Sequence, residues 1–434
     1  MSVIHHILYH NFSIKSSGYK VLNSIKVVCG KVRTMEHENF GKCLDAKFPV
    51  RLISPDDEYH YFFGYYDLSA YHENGRYHLA NRVKFMDRLP TKDDVCELGY
   101  IDLETSEFVK FAETTAWNFQ QGALLTYNRA NYDEVFYNVR GGENDFRTCI
   151  HNLKTGEKRY TDRACANISL DGKRGLAVNF SRIYDFRPGY GYSDIKDRWY
   201  DVAQPDDDGI YLVDMETGKS KLIISIADVF KKFPNEIFPD EKFVVNHITF
   251  SPSGEKFLFL IRNFQKPGAV GVGWLTTVIT SDLNGNMYEL IHNDCASHYH
   301  WKNDDQILFY CRRDEVYGLF LLDDKSKKYV HYDKPDLSID EPYARDIHCL
   351  YSPSQRYFIG DSYTKIDHCR RIYIYDTETT QHEVLLKDYS VIPDDGDIRC
   401  DLHNRWNLKG DKISYDSTRN GRREIYEIDA SALV

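Results

Sequence analysis

Apolar and polar residues alternate along most of the chain in short runs, and the runs repeat. One pattern is an apolar strand that ends in Asp or Asn and enters a turn. It reads LGYIDLET (Asp102), RTCIHNLKTG (Asn152), GIYLVDMETG (Asp214), TVITSDLNG (Asp282), GLFLLDDKS (Asp323), RIYIYDTET (Asp376) and EIYEIDAS (Asp429). Alternation followed by D-x-x-[TS/G] predicts a strand running into a hairpin. A second pattern precedes each copy: an aromatic or aliphatic residue three positions after a marked site, then a polar turn and another apolar strand. It is clearest in HITFSPSGEKFLFL from His247, HYHWKNDDQILFY from His298, HCLYSPSQRYFIG from His348 and HNRWNLKGDKISY from His403. Weaker copies start at Cys165, Gln121 and Leu68.

Seven units of about 50 residues, each with room for four short strands, predict an all-β, seven-bladed β-propeller. A β-sandwich does not repeat one unit seven times. Propeller edges need closing, and FPVRLIS near residue 50 is the candidate strand to complete the last blade. Two segments stand outside the repeat. Residues 1–45 form an N-terminal extension whose YKVLNSIKVVCGKVR reads as a short helix, ahead of a propeller at 46–434. A long insertion is expected between blades three and four. It contains NFSRIYDFRPGYGYSDIKDRWYDVAQPDDDG and then SIADVFKKFPNEIF, which reads as a helix. Its Arg, Tyr and Gly content suggests an ordered loop with binding groups.

Composition narrows the function. The chain has 434 residues, with 33 Tyr and 24 Phe, which suit a pleated, half-buried surface. The net charge of −11, with no Lys/Arg block, argues against a nucleic-acid surface and leaves room for a local cationic pocket. The ten cysteines lack a CxxC pair and read mostly as reduced core residues. There is no secretory signal pattern and no apolar run long enough for a transmembrane segment, so the expectation is cytoplasmic.

The repeat register changes the reading of CASHYHW at 295–301. His247, His298, His348 and His403 occupy one register position, at spacings of 51, 50 and 55 residues. Inner strands of neighbouring blades converge on the channel, so four imidazoles at one level make a candidate divalent-metal site, zinc or manganese. His300 and Cys295 are local additions on the His298 strand, and Asp294, Cys349, Cys400 and Asp401 lie near the same level. Phe250, Trp301, Tyr351 and Trp406 share the next register position and read as core.

The H-x-H at His298 and His300, with a polar residue three positions earlier and a histidine from the previous blade, resembles the oligogalacturonate lyases. That family has seven-bladed propellers that hold a divalent metal in the channel. Cys295 stands where the family pattern has glutamine, and a thiolate would favour zinc over manganese. YHYFFGYYD, WNFQQG and NFSRIYDFRPGYGY look more like the ulvan-lyase type. The resemblance spans residues 50–434. It implies β-elimination on a uronic-acid-containing anionic glycan. Such chemistry needs a base, an acid and a cation facing the carboxylate. On this reading His78 is base or acid, Tyr184 its partner and Arg187 the carboxylate neutraliser. His60, Arg140, Tyr190 and Tyr192 would bind substrate. The competing expectation is a non-catalytic propeller that binds a glycan or a protein partner; a metal-dependent hydrolase is disfavoured by the lack of paired carboxylates.

Overall fold

The computed structural model describes residues 44–142, 145–234, 242–264, 275–332, 346–364 and 367–433. Their strands form seven small antiparallel sheets; in five the strands run in chain order from the innermost outward, and in the other two an early strand of the chain adds at the outer edge. The innermost strands are His60–Phe62, Thr126–Tyr127, Cys165–Ile168, Lys242–Phe250, Ala296–Trp301, Ile347–Tyr351 and Arg405–Trp406. The chain is a seven-bladed β-propeller.

All seven Asp/Asn-ended runs are the third strands of their blades. Their turns explain the repeated side chain. Asn152 Oδ1 accepts from the N–H groups of Lys154 and Thr155 at 3.0 and 2.9 Å, and Asp214 Oδ1 accepts from Glu216 and Thr217, both at 2.9 Å. A short side-chain acceptor replaces a missing ladder bond at each hairpin. The register aromatics Phe250, Trp301 and Tyr351 are buried in the layers between blades, and Trp406 is half-buried.

The ring closes as FPVRLIS predicts. Val50–Leu52 pairs with the third strand of blade seven, Val50 opposite Ile428 and Leu52 opposite Tyr426. Asp45–Ala46 adds a fifth strand to blade six. The rest of the expected extension, with its short helix, lies outside the described residues.

The insertion occupies two places. Residues 178–208 join the second and third strands of blade three, and the second part links blade three to blade four. The first part carries helix α1 (Phe180–Phe186), capped by Asn179, whose side chain accepts from Arg182 N. Arg182 is buried. It donates to Asp197 at 2.9 Å and to the carbonyls of Phe243, Trp199, Val202 and Ala203. One guanidinium thus satisfies the carbonyls of an irregular segment and fastens it to blade four. Helix α2 (Ile226–Lys232) begins at a Ser225/Asp228 capping box, matching the helix expected in SIADVFKK. Among the described residues no helix is long and apolar enough to cross a membrane. Cys96, Cys149, Cys165, Cys295, Cys311, Cys349 and Cys400 are free thiols.

Candidate functional site

The four register histidines meet in the channel. Ring centroids lie 5.5 Å apart for His247–His298, 4.0 Å for His298–His348 and 4.4 Å for His348–His403. His247 and His403 have φ of 48° and 44°. The left-handed region costs a non-glycine residue about 1–2 kcal/mol, and such strain collects where a side chain must be aimed. At His247 the ladder to the second strand slips between Asn246 and Ile248, a bulge that turns the imidazole out of the alternation.

Three of these rings are held at one nitrogen. His348 Nδ1 is 2.6 Å from Asp361 Oδ1, and His298 Nδ1 is 2.7 Å from Asp346 Oδ1. A carboxylate only accepts, so each Nδ1 carries the proton, and in neutral His348 Nε2 is a bare lone pair. The Tyr65 hydroxyl is 2.7 Å from His247 Nδ1. His348 Nε2 and His403 Nε2 are buried with no hydrogen-bond partner. Ligand atoms of His348, Asp401 and His403 lie within 4.8 Å of one another, and all three residues are buried.

Protonation states suit a cation. Burial, then the neighbouring imidazole of His298 for His348 and of His348 for His403, hold both rings well below the ordinary histidine range, so they are neutral. Burial alone would raise Asp401, but Arg399, Arg370 and the two imidazoles outweigh it and keep the carboxyl well below its usual range. Arg370 Nη1 is 2.7 Å from Asp401 Oδ1, and Arg399 Nη2 is 2.8 Å from Oδ2. Two neutral imidazoles and one carboxylate are a competent set for zinc or manganese. Burial pushes Asp361 up, with His403 and Arg370 opposing it.

The connection into blade seven and the insertion build the mouth. Arg399 also donates to the Tyr190 hydroxyl at 3.1 Å, and Arg187 lies over the Tyr190 ring at 4.1 Å. Tyr190 packs edge-on against Tyr65 and His247. Arg262 is buried beside the cluster, and burial followed by Arg187 lowers its pKa to about 10. Tyr65 and Tyr66 cross the channel, with Tyr65 5.1 Å from His403 and Tyr66 5.3 Å from His348 between centroids.

Other expected residues go elsewhere. His78 is fully buried between blades one and seven, where Nδ1–H donates to Leu79 O at 2.7 Å and Nε2 accepts from Ser414 at 2.9 Å. Both nitrogens are occupied, and no face is open to a substrate. His60 sits by blade seven and accepts from Arg423 N at 3.3 Å. Tyr192 is buried against Phe180 and Phe146, and its hydroxyl accepts from Asn138. Arg140 is bonded to Thr115 and Ser193, pinning the insertion. Tyr184 is half-buried on α1, with its backbone against Gly191. His300 lies further along its strand, 6.0 Å from Tyr351 and outside the three-residue cluster, and burial brings it to about 4. Cys295 is also outside the cluster; burial, then Asp346 and Asp294, raise its thiol to about 12.

The reading from sequence missed Asp346, Asp361, Arg262, Arg370 and Arg399, while Tyr65 and Tyr66 lay unassigned inside YHYFFGYYD. A signal existed for one of the two acids: Asp361 interrupts an apolar strand, YFIGDS.

No family model matches the sequence, and no curated protein matches it. Solved structures do. An oligogalacturonate lyase in complex with manganese superposes with a TM-score of 0.61 at 14% identity, over 89% of this chain and 94% of that one. An oligogalacturonate lyase from Vibrio parahaemolyticus gives 0.59 at 14% identity, over 89% and 96%. The chain is therefore built on the same seven-bladed β-propeller as the oligogalacturonate lyases.

Proposed function

We propose that the chain is a lyase-like propeller in which His348, Asp401 and His403 hold a divalent cation and an anionic, uronate-containing glycan docks at the same end of the channel. The observation that carries this reading is the convergence of two buried, unpartnered imidazole nitrogens on a carboxylate held ionised by two arginines. The manganese in an oligogalacturonate lyase of the same fold supports it. A bound cation would supply Lewis-acid stabilisation of negative charge developing on a substrate carboxylate.

The chain's own groups do the rest. Arg187 and Arg262 add positive charge that draws and orients a carboxylate. Elimination removes the proton α to that carboxylate, forms the C=C bond and breaks the β C–O bond, whose oxygen takes a proton. The Tyr65 hydroxyl, paired with His247 Nδ1, can accept or return a proton, and the Tyr190 hydroxyl, accepting from Arg399, can donate one. In this proposal the Tyr65–His247 pair replaces His78, Tyr190 passes from the expected substrate binding to the place expected of Tyr184, and Arg187 keeps its expected role. The proposed place of action is cytoplasmic, on imported oligosaccharides.

One observation favours a second reading. All three cluster residues are buried, with Tyr65 and Tyr66 across them, which suits a structural cation in a propeller that binds a glycan or protein without catalysis. One experiment separates the two. Metal content of purified protein is measured, and the protein is incubated with uronate-containing glycans while ultraviolet absorbance of the unsaturated product is followed. Metal with rising absorbance supports the lyase; metal with flat absorbance across the panel leaves the binding propeller; a metal-free wild type refutes both metal readings.

A further inference from the structure

Asp361 takes no place in the three-residue cluster, yet it touches two of its members. Its Oδ1 accepts from His348 Nδ1 at 2.6 Å and from His348 N at 3.1 Å. Its Oδ2 accepts from His403 N at 2.8 Å. The carboxylate is almost fully buried, on the second strand of blade six, Tyr357–Ser362. One oxygen therefore sets the tautomer and direction of one imidazole. The other fixes the backbone that presents the second, at a residue whose φ of 44° is left-handed.

The two histidines come from different blades, His348 from the inner strand of blade six and His403 from the connection into blade seven. The inner strand of blade seven is only Arg405–Trp406, so few ladder bonds hold His403 in register with its neighbour. Asp361 spans this seam. By contrast, Asp346 holds His298, which lies outside the cluster.

We propose that Asp361 is the positioning residue of the channel metal site: a single carboxylate that aligns His348 and His403 across the blade six–seven seam. Such partners fix the orientation and basicity of an imidazole ligand, and losing one weakens metal binding by about 10–100-fold. Asparagine has nearly the same shape but accepts at only one atom, so in Asp361→Asn either the His348 bond or the His403 bond faces an N–H donor.

The inference rests on the metal reading above, and the test keeps their failures apart. Zinc and manganese affinities are measured by competition with a chromogenic chelator for wild type, Asp361→Asn, Asp346→Asn and His403→Ala. Expected are a measurable wild-type affinity, a loss of about 10–100-fold in Asp361→Asn, abolition in His403→Ala and less than about threefold change in Asp346→Asn, below that range. No binding by wild type overturns the metal reading and with it this inference. Wild-type binding with an unchanged Asp361→Asn overturns the inference alone. Should Asp361→Asn fail to fold, nitrogen-15 NMR of cadmium-loaded wild type decides: cadmium on Nε2 of His348, with a protected proton on Nδ1, supports the assignment, and cadmium on Nδ1 refutes it.

Discussion

His78 offers a quantitative test of the electrostatics. Its ring is fully buried, packed edge-on between Phe63 and Tyr71, and both nitrogens have partners while no carboxylate is bonded to either. Burial, then Arg405 nearby, lowers its pKa from 6.5 to about 3. Above pH 6.5 the folded and unfolded states are both neutral at this residue, and the stability is fully present. Below it the unfolded chain binds a proton that the folded one excludes, so stability is lost as pH falls from 6.5 toward about 3. The slope approaches about 1.4 kcal/mol per pH unit, which gives about 2 kcal/mol between pH 7 and pH 5 from this residue. His78→Gln can keep a donor toward Leu79 O and an acceptor toward Ser414, but it cannot titrate. Urea unfolding of both proteins at pH 7 and pH 5 isolates the difference, because the other lowered histidines are common to both. The variant starts less stable at pH 7 through lost ring packing, by about 1–3 kcal/mol. The gap to wild type should shrink by about 2 kcal/mol at pH 5. Parallel loss of stability in the two proteins would refute the reasoning and leave His78 open to solvent protons.

The other expectations follow from the same contacts. Arg182→Ala leaves Asp197 buried and unpaired and should cost about 3–5 kcal/mol, read by urea unfolding, with limited proteolysis cutting first within 178–208. Ile428→Ala, in the strand that receives the closing segment, should cost about 2–5 kcal/mol by the same measurement. The solvent-screened Arg76–Asp102 pair is the contrast, and Arg76→Ala should leave the urea midpoint nearly unchanged. Zinc or manganese at a hundredfold excess over its dissociation constant should stabilise the wild type by about 2.7 kcal/mol in a thermal melt and leave His403→Ala unmoved.

The repeat made the architecture legible. Turn acceptors such as Asp214 and the aromatics at 250, 301 and 351 are forced on each blade by the same local geometry, so they recur in sequence. The four histidines were legible for the same reason, since one register position maps to one level of the channel. The groups that orient them were harder to read. Asp346 precedes a strand and Arg399 sits in an irregular connection; Asp361 has a counterpart in Asp416, at the same position of the second strand of blade seven, but that it reaches His403 across a seam shows only in the fold. His78 misled because an alternating strand shows that a side chain is inward-facing but not whether it faces the channel or the layer between blades. The insertion was recognised as ordered, yet that Tyr190 reaches the channel while Tyr192 packs inside depends on the Pro188–Tyr190 turn.

The closing strand also imposes an order of events during synthesis. Val50–Leu52 leaves the ribosome long before its partner, Glu424–Asp429, is made. Blades one to five can assemble on the nascent chain, since each is built from consecutive strands, whereas the ring stays open until Glu424–Asp429 has been made. Asp401 and His403 belong to that late portion. The candidate cation cluster therefore forms only once blade seven has been made, and a chain truncated before blade seven would carry three of the four histidines without Asp401 and His403.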